Sequence, residues 1–597
     1  MRLSVLALDY DGTIAQHDVL DPSVRDAIAA ARTHGILVLL VTGRILDDLR
    51  RVAGDLHFVD GVVAENGAIL HFPDSGHTSL LASRIPEAYV AELGCRGIPF
   101  RAGQCLVDAD AADGQRLLDV IRTLELPLVL IFNHGRVMTL PQGISKATGL
   151  HAALDTLRMS SRNTVAIGDA ENDHDLLRLA EVGAAVAWGS PSLRAAADVI
   201  VEGSGPAAVA RYIRELTASG RLPDAARPRR HVLLGYTEDG RELSLSIRGR
   251  NVLITGDARS GKSWIAGLLC EQLILHGYSL CVIDPEGDYR SLEALPGVSV
   301  LGGPDPPPSP RDLLRALRYP DRSIVIDLSH QRHDAKIWYV RALLPALSAM
   351  RRRTGLPHRI LLDEAHYFLD DAHALRLLDL TFNGYTLVTY RASRLPNEVM
   401  AASEVVIVTC QSNPVELDAL RAMCIGPPSS NAAHWGKALS HLGPGQAAAL
   451  PVTQESHGEL MLFNMAGRLT PHVRHREKYV DVPVPQNRAF LFSTDGQRSG
   501  PRASTLRQFV SGLERSEPAA LGGHLRRGDF SRWLRDVFGD RALAADLEKQ
   551  EERYRMELDL DVVPEMVNAV RSRYDLTDEA SDADTAGIGN DGTAGGR

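Results

Sequence analysis

The chain has 597 residues, which predicts three to five domains at about 150 residues per domain. Its 65 Lys and Arg against 75 Asp and Glu give a formal net charge of −10, which argues against a surface covered all round with nucleic-acid-binding charge. The six cysteines are scattered without a CxxC pair, and no apolar run approaches the ~18 residues needed to span a bilayer. These counts exclude a disulfide scaffold and a membrane, secreted or single-domain protein, and they predict a cytoplasmic multidomain protein.

Short β-branched apolar runs alternate with helical stretches over most of the chain. This rhythm is typical of βαβ units and parallel sheets, so the predicted fold class is α/β. One series of runs begins at Val5–Asp9 and a second at Val252–Thr255, and the polar, proline-containing residues 217–230 separate them as a linker.

Two aspartates, Asp9 and Asp11, follow the first predicted strand. Residues two apart on an extended chain face the same way, so both carboxylates can address one site at the carboxyl edge of a sheet. Gly12 lets the chain turn sharply beside them. Taken alone, this pattern leaves two interpretations open, which are a pair of catalytic carboxylates and a pair that only caps a loop.

Three further features follow in chain order. Thr42 and Gly43 end another strand and offer a hydroxyl and a backbone amide to a phosphate, and Lys146 supplies a cation before a helical run. Asp169 and Asp173 follow a third strand at a spacing that puts side chains on one helical face. Phosphoryl transfer through an aspartyl-phosphate requires such a set, and carboxylate oxygens suit Mg²⁺.

These motifs resemble the haloacid dehalogenase superfamily, in its Cof-type branch of capped phosphatases, over about residues 1–216. The segment Ala64–Ala68 (AENGA) is also similar to that branch. The resemblance implies Asp9 as the nucleophile and Asp11 as the general acid/base, with a small phosphate ester of the sugar phosphate or phosphoglycolate type as substrate. The implied phosphate ligands are Thr42, Gly43, Lys146 and Asn172, and the implied Mg²⁺ ligands are Asp9, Asp11, Asp169 and Asp173.

A GxxxxGKS motif begins at Gly256, between a predicted strand and a predicted helix. Its glycines bring backbone N–H groups close to phosphates, Lys262 can reach the β and γ oxygens, and the Ser263 hydroxyl can bind Mg²⁺. Downstream, an apolar strand ends in Asp363, which would hold Mg²⁺ through water, and Glu364, which would polarise the attacking water. These residues predict an ATP site, with Gly256, Gly261, Lys262 and Ser263 as its nucleotide ligands.

The segment Asp284–Tyr289 reads DPEGDY, and it resembles the signature of HerA-type ATPases, which are relatives of the FtsK translocases. The likeness covers about residues 231–450 and implies a hexameric ring completed by an arginine from a neighbouring subunit. The sequence departs from the pattern at Tyr390, which stands where a glutamine usually senses the γ-phosphate. Arg391 beside it stays a candidate nucleotide ligand.

The predicted domains are a phosphatase domain (1–216, with a cap at about 83–140), the linker (217–230), a P-loop ATPase domain (231–450), a mixed connecting region (451–500), a helical module (501–574) and a disordered tail (575–597). In the helical module, Leu506, Phe509, Val510 and Leu513 recur at helical spacing. We also expect the run Arg351–Arg353 to be a solvated helix end and His366 to be an ordinary surface or loop residue.

Three functions remain open at this point. The first is a bifunctional hydrolase, with a Mg²⁺-dependent phosphatase and an ATP site. The second is a hexameric translocase on DNA whose first half processes nucleotides or phosphorylated ends, and the third is an interaction scaffold with decayed sites. The phosphatase residue set is the more complete one, so the sequence favours the bifunctional hydrolase.

Overall fold

The computed structural model describes residues 1–133, 135–224, 230–246, 248–370, 374–424, 432–452, 460–471, 484, 488–493, 500–538, 540–557 and 561–574. Its strands are β1 (Val5–Leu8), β2 (Ala15–Gln16), β3 (Val19–Leu20), β4 (Leu37–Val41), β5 (Gly61–Ala64), β6 (Ile69–Phe72), β7 (His77–Leu80), β8 (Phe100–Ala102), β9 (Val107–Asp110), β10 (Leu128–Asn133), β11 (Arg136–Pro141), β12 (Thr164–Gly168), β13 (Val182–Val186), β14 (Val199–Val201), β15 (Val232–Tyr236), β16 (Glu242–Leu245), β17 (Val252–Thr255), β18 (Leu280–Asp284), β19 (Val298–Gly302), β20 (Ser323–Asp327), β21 (Arg359–Leu362), β22 (Tyr385–Thr389), β23 (Val405–Val408), β24 (Gln446–Ala449), β25 (Met461–Met465), β26 (Phe490–Leu491) and β27 (Arg502–Ala503).

The α-helices are α1 (Pro22–Thr33), α2 (Leu46–Ala53), α3 (Glu87–Cys95), α4 (Gly114–Thr123), α5 (Lys146–Leu157), α6 (His174–Leu179), α7 (Pro191–Ala196), α8 (Pro206–Ser219), α9 (Lys262–Leu275), α10 (Pro310–Ala316), α11 (His333–Thr354), α12 (Asn397–Ala401), α13 (Pro414–Met423), α14 (Ala432–Ser440), α15 (Leu506–Arg515), α16 (Pro518–Arg527), α17 (Asp529–Trp533), α18 (Arg541–Met556) and α19 (Val563–Arg573). Within the described ranges, none of these helices combines the length and the hydropathy needed to cross a membrane.

The first sheet has eight strands in the order β14-β13-β12-β1-β4-β5-β6-β7. The strands from β14 to β5 run parallel, and β6 and β7 continue the sheet in antiparallel pairing. All four residues of β1 are buried, because α1 and α8 pack on one face of the sheet while α5 and α6 pack on the other. The loops that carry the predicted phosphatase residues therefore lie together at the carboxyl edge of this sheet.

A second, antiparallel sheet in the order β10-β11-β9-β8 packs against α3 and α4 around its own small core. Its elements lie between Glu87 and Pro141, and they correspond to the segment that the sequence predicts as a cap.

The third sheet has eleven strands in the order β16-β15-β25-β24-β23-β17-β22-β21-β18-β20-β19. The strands from β23 to β19 are parallel, whereas β24, β25, β15 and β16 extend one edge in antiparallel pairing. Together the sheets confirm the predicted α/β class. The predicted boundary at residue 450 is wrong, because β25 lies beyond it and hydrogen-bonds to both β24 and β15 as part of this sheet.

The helices from α15 to α19 form a separate core around a cluster of aromatic rings. Phe509 stacks on Trp533 with ring centroids 4.9 Å apart, and Phe530 packs edge-on against Phe509 at 5.8 Å. The four residues that recur at helical spacing, Leu506, Phe509, Val510 and Leu513, are all buried, as predicted. The predicted tail, 575–597, lies outside the described residues.

The end of α11 differs from its prediction. Arg351 is buried, and its guanidinium donates to the carbonyl oxygens of Pro357 (3.1 Å) and Asn383 (2.7 Å). The expectation of a solvated helix end is therefore wrong for this residue, because the loops before β21 and β22 close over it.

The two large sheets meet at the ends where their strands begin. His358, just before β21, places Nε2 at 3.0 Å from Oδ1 of Asn163, just before β12. The Tyr278 hydroxyl, before β18, donates to Glu181 Oε1 (2.8 Å), and Arg162 pairs with the other oxygen of that carboxylate (3.1 Å). The carboxyl edges of the two sheets, where the predicted sites lie, are thus remote from this interface.

Candidate functional sites

Adjacent parallel strands bring the acidic residues of the first half together. β1 pairs with β12, so Asp9 and Asp169 emerge side by side at the carboxyl edge, and Asp173 follows one turn later. Ligand oxygens of Asp9, Asp169 and Asp173 all lie within 4.8 Å of one another, and all three residues are buried. The sequence predicted each of these residues, and the fold places them in one cluster.

Lys146 lies inside this acidic cluster. It is the first residue of α5, it is 1% exposed, and its Nζ donates to Asp9 Oδ1 and to Asp173 Oδ1, each at 2.6 Å. Burial opposes its charge, but the Asp173 and Asp9 carboxylates outweigh burial and raise the pKa of Lys146. Burial, together with Asp173 and Asp169, raises the pKa of Asp9 well above its ordinary value, and Lys146 acts against that rise.

Asp173 uses both of its oxygens within the protein. Oδ1 accepts from Lys146, and Oδ2 accepts from the backbone N–H groups of Asp169 and Ala170, each at 3.0 Å. Asp173 therefore holds Lys146 and the start of the Asp169 loop in position, whereas Asp9 and Asp169 line the neighbouring cavity.

Gly12 passes directly over Asp169. Its φ is +73°, and a Cβ built on it would stand 2.1 Å from Asp169 Oδ2. Its carbonyl oxygen accepts from Trp188 Nε1 (2.7 Å), which fixes the turn. Only glycine leaves room for that carboxylate at this turn.

Asp11 lies outside the acidic cluster, on the cavity wall. Its side chain is 45% exposed, and its two oxygens accept from Arg44 Nη2 (2.5 Å) and Nε (2.7 Å). Arg44 also pairs with Asp18. The sequence offered Asp11 as a metal ligand as well as an acid/base, and the fold places its carboxylate on an arginine.

The predicted phosphate ligands occupy different positions around the cavity. Gly43 lines it, whereas Thr42 is fully buried with its hydroxyl oxygen accepting from the backbone N–H of Arg44 (3.1 Å). Asn172 donates to the Asn66 side chain (3.2 Å).

Glu65 has a structural role that motif reading missed. It is buried at φ +50°, and its carboxylate accepts the backbone N–H groups of Gln104 (3.0 Å) and Cys105 (2.7 Å) on the cap side. The AENGA segment contains Glu65 and marks it in the sequence. Only the fold shows that the hydrogen bonds of Glu65 join the cap to the first sheet.

A cavity of about 320 Å³ separates the acidic cluster from the cap. From the cap, Arg136 reaches Asp108 through Nε (3.1 Å) and Nη2 (2.6 Å), and Arg101 reaches Asp108 (2.9 Å) and also Asp48 of α2 (3.2 Å). All four residues line the cavity. The wall opposite Asp9 therefore carries guanidinium groups, which motif reading did not identify.

The donor set around Asp9 fits a hard divalent cation. Buried carboxylate oxygens of Asp9 and Asp169 are the ligand type that Mg²⁺ prefers, and Lys146 balances part of their charge. Softer metals are disfavoured, because His and Cys are absent from the residues that line this described cavity.

In the second half, β17 leads into the glycine-rich loop and α9 begins at Lys262. Gly256 has φ +148° and Gly261 has φ +107°, which are backbone conformations that favour glycine. Lys262 Nζ donates to the carbonyl oxygen of Asp257 (2.8 Å) across the loop. This geometry suits a phosphate cradle of backbone N–H groups at a helix N-terminus.

The acids of the second half lie at the carboxyl ends of β21 and β18, which are neighbouring strands. Asp363 and Glu364 are buried, and Glu364 has φ +46°. The DPEGDY loop follows β18, and its Asp288 accepts a hydrogen bond from the Ser263 hydroxyl (2.6 Å). Burial, together with Asp288 and Asp363, raises the pKa of Asp284 well above its ordinary value.

His366 is part of this second site, so its interpretation as a surface or loop residue is wrong. It is 1% exposed, and its Nδ1 lies 2.9 Å from Thr389 Oγ1 and 3.7 Å from Glu364 Oε2. The Tyr390 ring packs edge-on against it at 4.5 Å, and Arg391 lies over the same tyrosine ring at 5.3 Å. Tyr390, which stands where the HerA-type pattern usually has a glutamine, thus forms an aromatic pair with His366.

Comparison with known proteins gives separate matches for the two halves. The family model of haloacid dehalogenase-like hydrolases matches residues 6–94 and 101–213, and the model of the central domain of the helicase HerA matches residues 239–330. Both predicted resemblances are confirmed.

Curated relatives of the first half are named phosphoglycolate phosphatases. That of Natronomonas pharaonis is 30% identical over 220 residues, which cover 33% of this chain and 91% of that protein. That of Methanothermobacter thermautotrophicus is 28% identical over 221 residues, covering 36% and 98%. A solved haloacid dehalogenase-like hydrolase from B. subtilis aligns at 17% identity with a TM-score of 0.32, covering 36% of this chain and 100% of that one. Residues 239–330 of the chain match the central domain of the helicase HerA, and through residues 6–213 the chain belongs to the haloacid dehalogenase-like hydrolase family.

Proposed function

We propose that the first half is a Mg²⁺-dependent phosphatase that cleaves a small phosphate monoester through an aspartyl-phosphate on Asp9. The observation that carries this proposal is the buried cluster of Asp9, Lys146, Asp169 and Asp173 at the base of a capped cavity. Asp9 is the nucleophile that this cluster supports best, because it lines the cavity and bonds directly to Lys146.

Each step of the proposed reaction uses a named side chain. An Asp9 oxygen attacks phosphorus, the bond to the ester oxygen breaks, and Asp11 gives that oxygen a proton. Asp11 then takes a proton from a water that attacks the phosphoryl group, which releases phosphate and restores Asp9. Arg44 hydrogen-bonds both Asp11 oxygens at the cavity wall, so one of these oxygens leaves Arg44 to carry the proton while the other keeps Asp11 in place. A bound Mg²⁺ would offset the negative charge of the phosphate facing Asp9 and Asp169.

We propose an ester whose leaving group carries a second anionic group, as in a phosphoglycolate-type substrate. Arg101 and Arg136 face the cavity from the cap, where Asp48 and Asp108 hold them in place. A guanidinium group has five N–H donors, more than these contacts use, and guanidinium groups bind carboxylates through paired hydrogen bonds. The names of the curated relatives agree with this choice, and the cavity volume of about 320 Å³ suits a small molecule. Sugar phosphates stay the second candidate.

For the second half we propose ATP binding and hydrolysis. The glycine-rich loop and Lys262 would hold the phosphates, Ser263 and Asp363 would face Mg²⁺, and Glu364 would polarise the attacking water. Arg391 would contact nucleotide. The proposed units are residues 1–216 as the phosphatase domain and 231 to about 470 as the ATPase domain, since β25 belongs to its sheet.

A second candidate function is a DNA translocase built as a hexameric ring, and the match to the HerA central domain favours it. In that case the ATPase rate rises when double-stranded DNA is added. Indifference of the ATPase rate to DNA would favour the bifunctional hydrolase without a nucleic-acid partner.

The phosphatase proposal is tested by phosphate release from a chromogenic ester and from phosphoglycolate in the presence of Mg²⁺. We expect Asp9→Asn to lower kcat/KM by a factor on the order of 10³ or more, because the amide is not a nucleophile. Asp26→Asn, on the exposed face of α1, is the matched control and should keep the wild-type rate. Equal rates for Asp9→Asn and the wild type would exclude the proposed reaction.

A further inference from the structure

The P-loop serine and the DPEGDY loop are joined by one short contact. Ser263 Oγ donates its proton to Asp288 Oδ2 at 2.6 Å, and both residues are buried. A hydroxyl has one proton and two lone pairs, so a serine whose proton is held by a carboxylate turns its lone pairs away from that carboxylate. This is the orientation that a hydroxyl needs in order to bind a metal ion.

Asp288 is held in place by an acid at the start of the same loop. The buried Asp284 carboxylate accepts the backbone N–H groups of Glu286 (3.2 Å), Gly287 (2.7 Å), Asp288 (3.1 Å) and Tyr289 (2.9 Å). Gly287 makes the turn at φ +84°. The loop therefore wraps around Asp284 and presents Asp288 to the first turn of α9.

We propose that Asp288 is a positioning residue of the nucleotide site, which orients the Ser263 hydroxyl toward Mg²⁺. This inference rests on the proposed ATP site. The motif reading assigned the ion to Ser263 and Asp363 alone, whereas the structure gives the serine proton to an acid of the DPEGDY loop. Hydroxyl and carboxylate oxygens are the ligands and neighbours that Mg²⁺ prefers.

This role differs from a purely structural one in a measurable way. If Asp288 only stabilised its loop, its removal would weaken nucleotide binding equally with and without Mg²⁺. If Asp288 acts through Ser263, the loss of Asp288 weakens only the part of the nucleotide affinity that Mg²⁺ supplies. Loss of both the Asp288 and the Ser263 side chains then lowers this affinity no more than loss of either one.

The experiment is a titration of the full-length protein with fluorescent ADP in buffer containing Mg²⁺ and in buffer containing EDTA. We expect Asp288→Ala to reduce the Mg²⁺ enhancement of affinity about tenfold, while the Kd in EDTA stays within about twofold of the wild type. Ser263→Ala should have the same effect, and the double variant should match the single ones. Glu293→Gln, an exposed acid five residues after Asp288, is the control and should bind as the wild type does.

An unchanged Mg²⁺ enhancement in Asp288→Ala would overturn the inference, and so would an equal loss in both buffers. Circular dichroism and thermal unfolding of each variant check that the chain is folded. If the wild type binds no nucleotide in either buffer, the proposed ATP site is wrong and the role of Asp288 is wrong with it. Asp288→Asn retains an oxygen that can accept the Ser263 proton, so it should keep more of the Mg²⁺ enhancement than Asp288→Ala does. An enhancement as low as that of Asp288→Ala would contradict orientation of Ser263 through this hydrogen bond.

Discussion

His358 Nε2 donates to Asn163 Oδ1 across 3.0 Å, while His358 Nδ1 accepts the backbone N–H of Ser279 at 2.7 Å. This neutral imidazole joins the start of β12, which leads to Asp169, to the start of β21, which leads to Asp363. Each proposed site lies one strand length beyond this contact, in its own sheet. The two halves are therefore fixed together, and their sites do not share a pocket.

Stability should depend on pH through this histidine. Burial, with Arg162 as the next influence, lowers the pKa of His358 from 6.5 to about 3. Between these values the unfolded chain binds a proton on this ring and the folded protein does not, so the contribution is full above pH 6.5 and falls as the pH drops toward 3. The free energy of unfolding in urea should decrease from pH 7 to pH 5 by up to about 2 kcal/mol more in the wild type than in His358→Gln.

The control for this measurement is His151→Gln, an exposed histidine on α5. The free energy of unfolding of His151→Gln should depend on pH as that of the wild type does. If the free energy of unfolding changes with pH identically in His358→Gln and in the wild type, His358 is not held neutral at the interface.

A methyl group at Gly12 should disable the phosphatase. Gly12 and Gly35 both have φ above +70°, so alanine strains the backbone by about 1 kcal/mol at either position. Only at Gly12 does the new Cβ meet a neighbour, at 2.1 Å from Asp169, whereas Gly35 has nothing within 4 Å. Gly12→Ala should therefore lose at least about tenfold in kcat/KM while Gly35→Ala keeps it. Similar activity in both variants would contradict the packing of Gly12 on Asp169.

The cap arginines should control which esters are cleaved. Arg136→Ala removes a donor from the cavity wall, so KM for an ester with a carboxylate should rise about 10- to 100-fold, and KM for an ester with a neutral leaving group should change little. Arg116→Ala is the control, because this arginine lies on α4 of the cap and pairs with Asp113. The measurement is KM for both esters in the three proteins. An equal rise for both esters would indicate that Arg136 does not bind the leaving group.

Tyr390 should affect turnover in the second site more than binding. Its ring packs on His366, which lies 3.7 Å from Glu364. Tyr390→Ala removes that support and should lower the kcat for ATP about tenfold, because Glu364 loses its orientation. The ring also contacts Lys262 (5.9 Å) and Arg391 (5.3 Å), so loss of these contacts should raise the nucleotide Kd, but by a smaller factor. Tyr390→Phe retains the ring and should stay near the wild type. A loss in Tyr390→Phe as large as in Tyr390→Ala would assign the role to the hydroxyl.

The site residues that belong to sequence motifs could be predicted. The side-chain contacts between residues far apart in the sequence could not. Asp9, Lys146, Asp169 and Asp173 could be named because each follows a strand or opens a helix, and parallel strands bring such ends together. The pairing of Asp11 with Arg44 could not be predicted, since it depends on how two loops approach each other.

The last strand of the third sheet and several buried side chains could not be predicted either, because they also depend on contacts between distant segments. The assignment of β25 to the third sheet depends on strand pairing across the sheet, which the boundary estimate at residue 450 could not include. His366 and Arg351 were misread because their burial is produced by segments distant in sequence, which are Thr389 and Asn383. The contact of Ser263 with Asp288 likewise joins two motifs that sequence reading treats separately.

The two phosphoryl-transfer sites proposed for this chain should work independently of each other. The most direct test measures phosphate release from the ester and ATP turnover in parallel for the wild type, Asp9→Asn and Lys262→Ala. We expect Asp9→Asn to lose only the ester reaction and Lys262→Ala to lose only ATP turnover. Full ester hydrolysis by Asp9→Asn, or loss of both reactions in either variant while the chain stays folded, would contradict two independent sites.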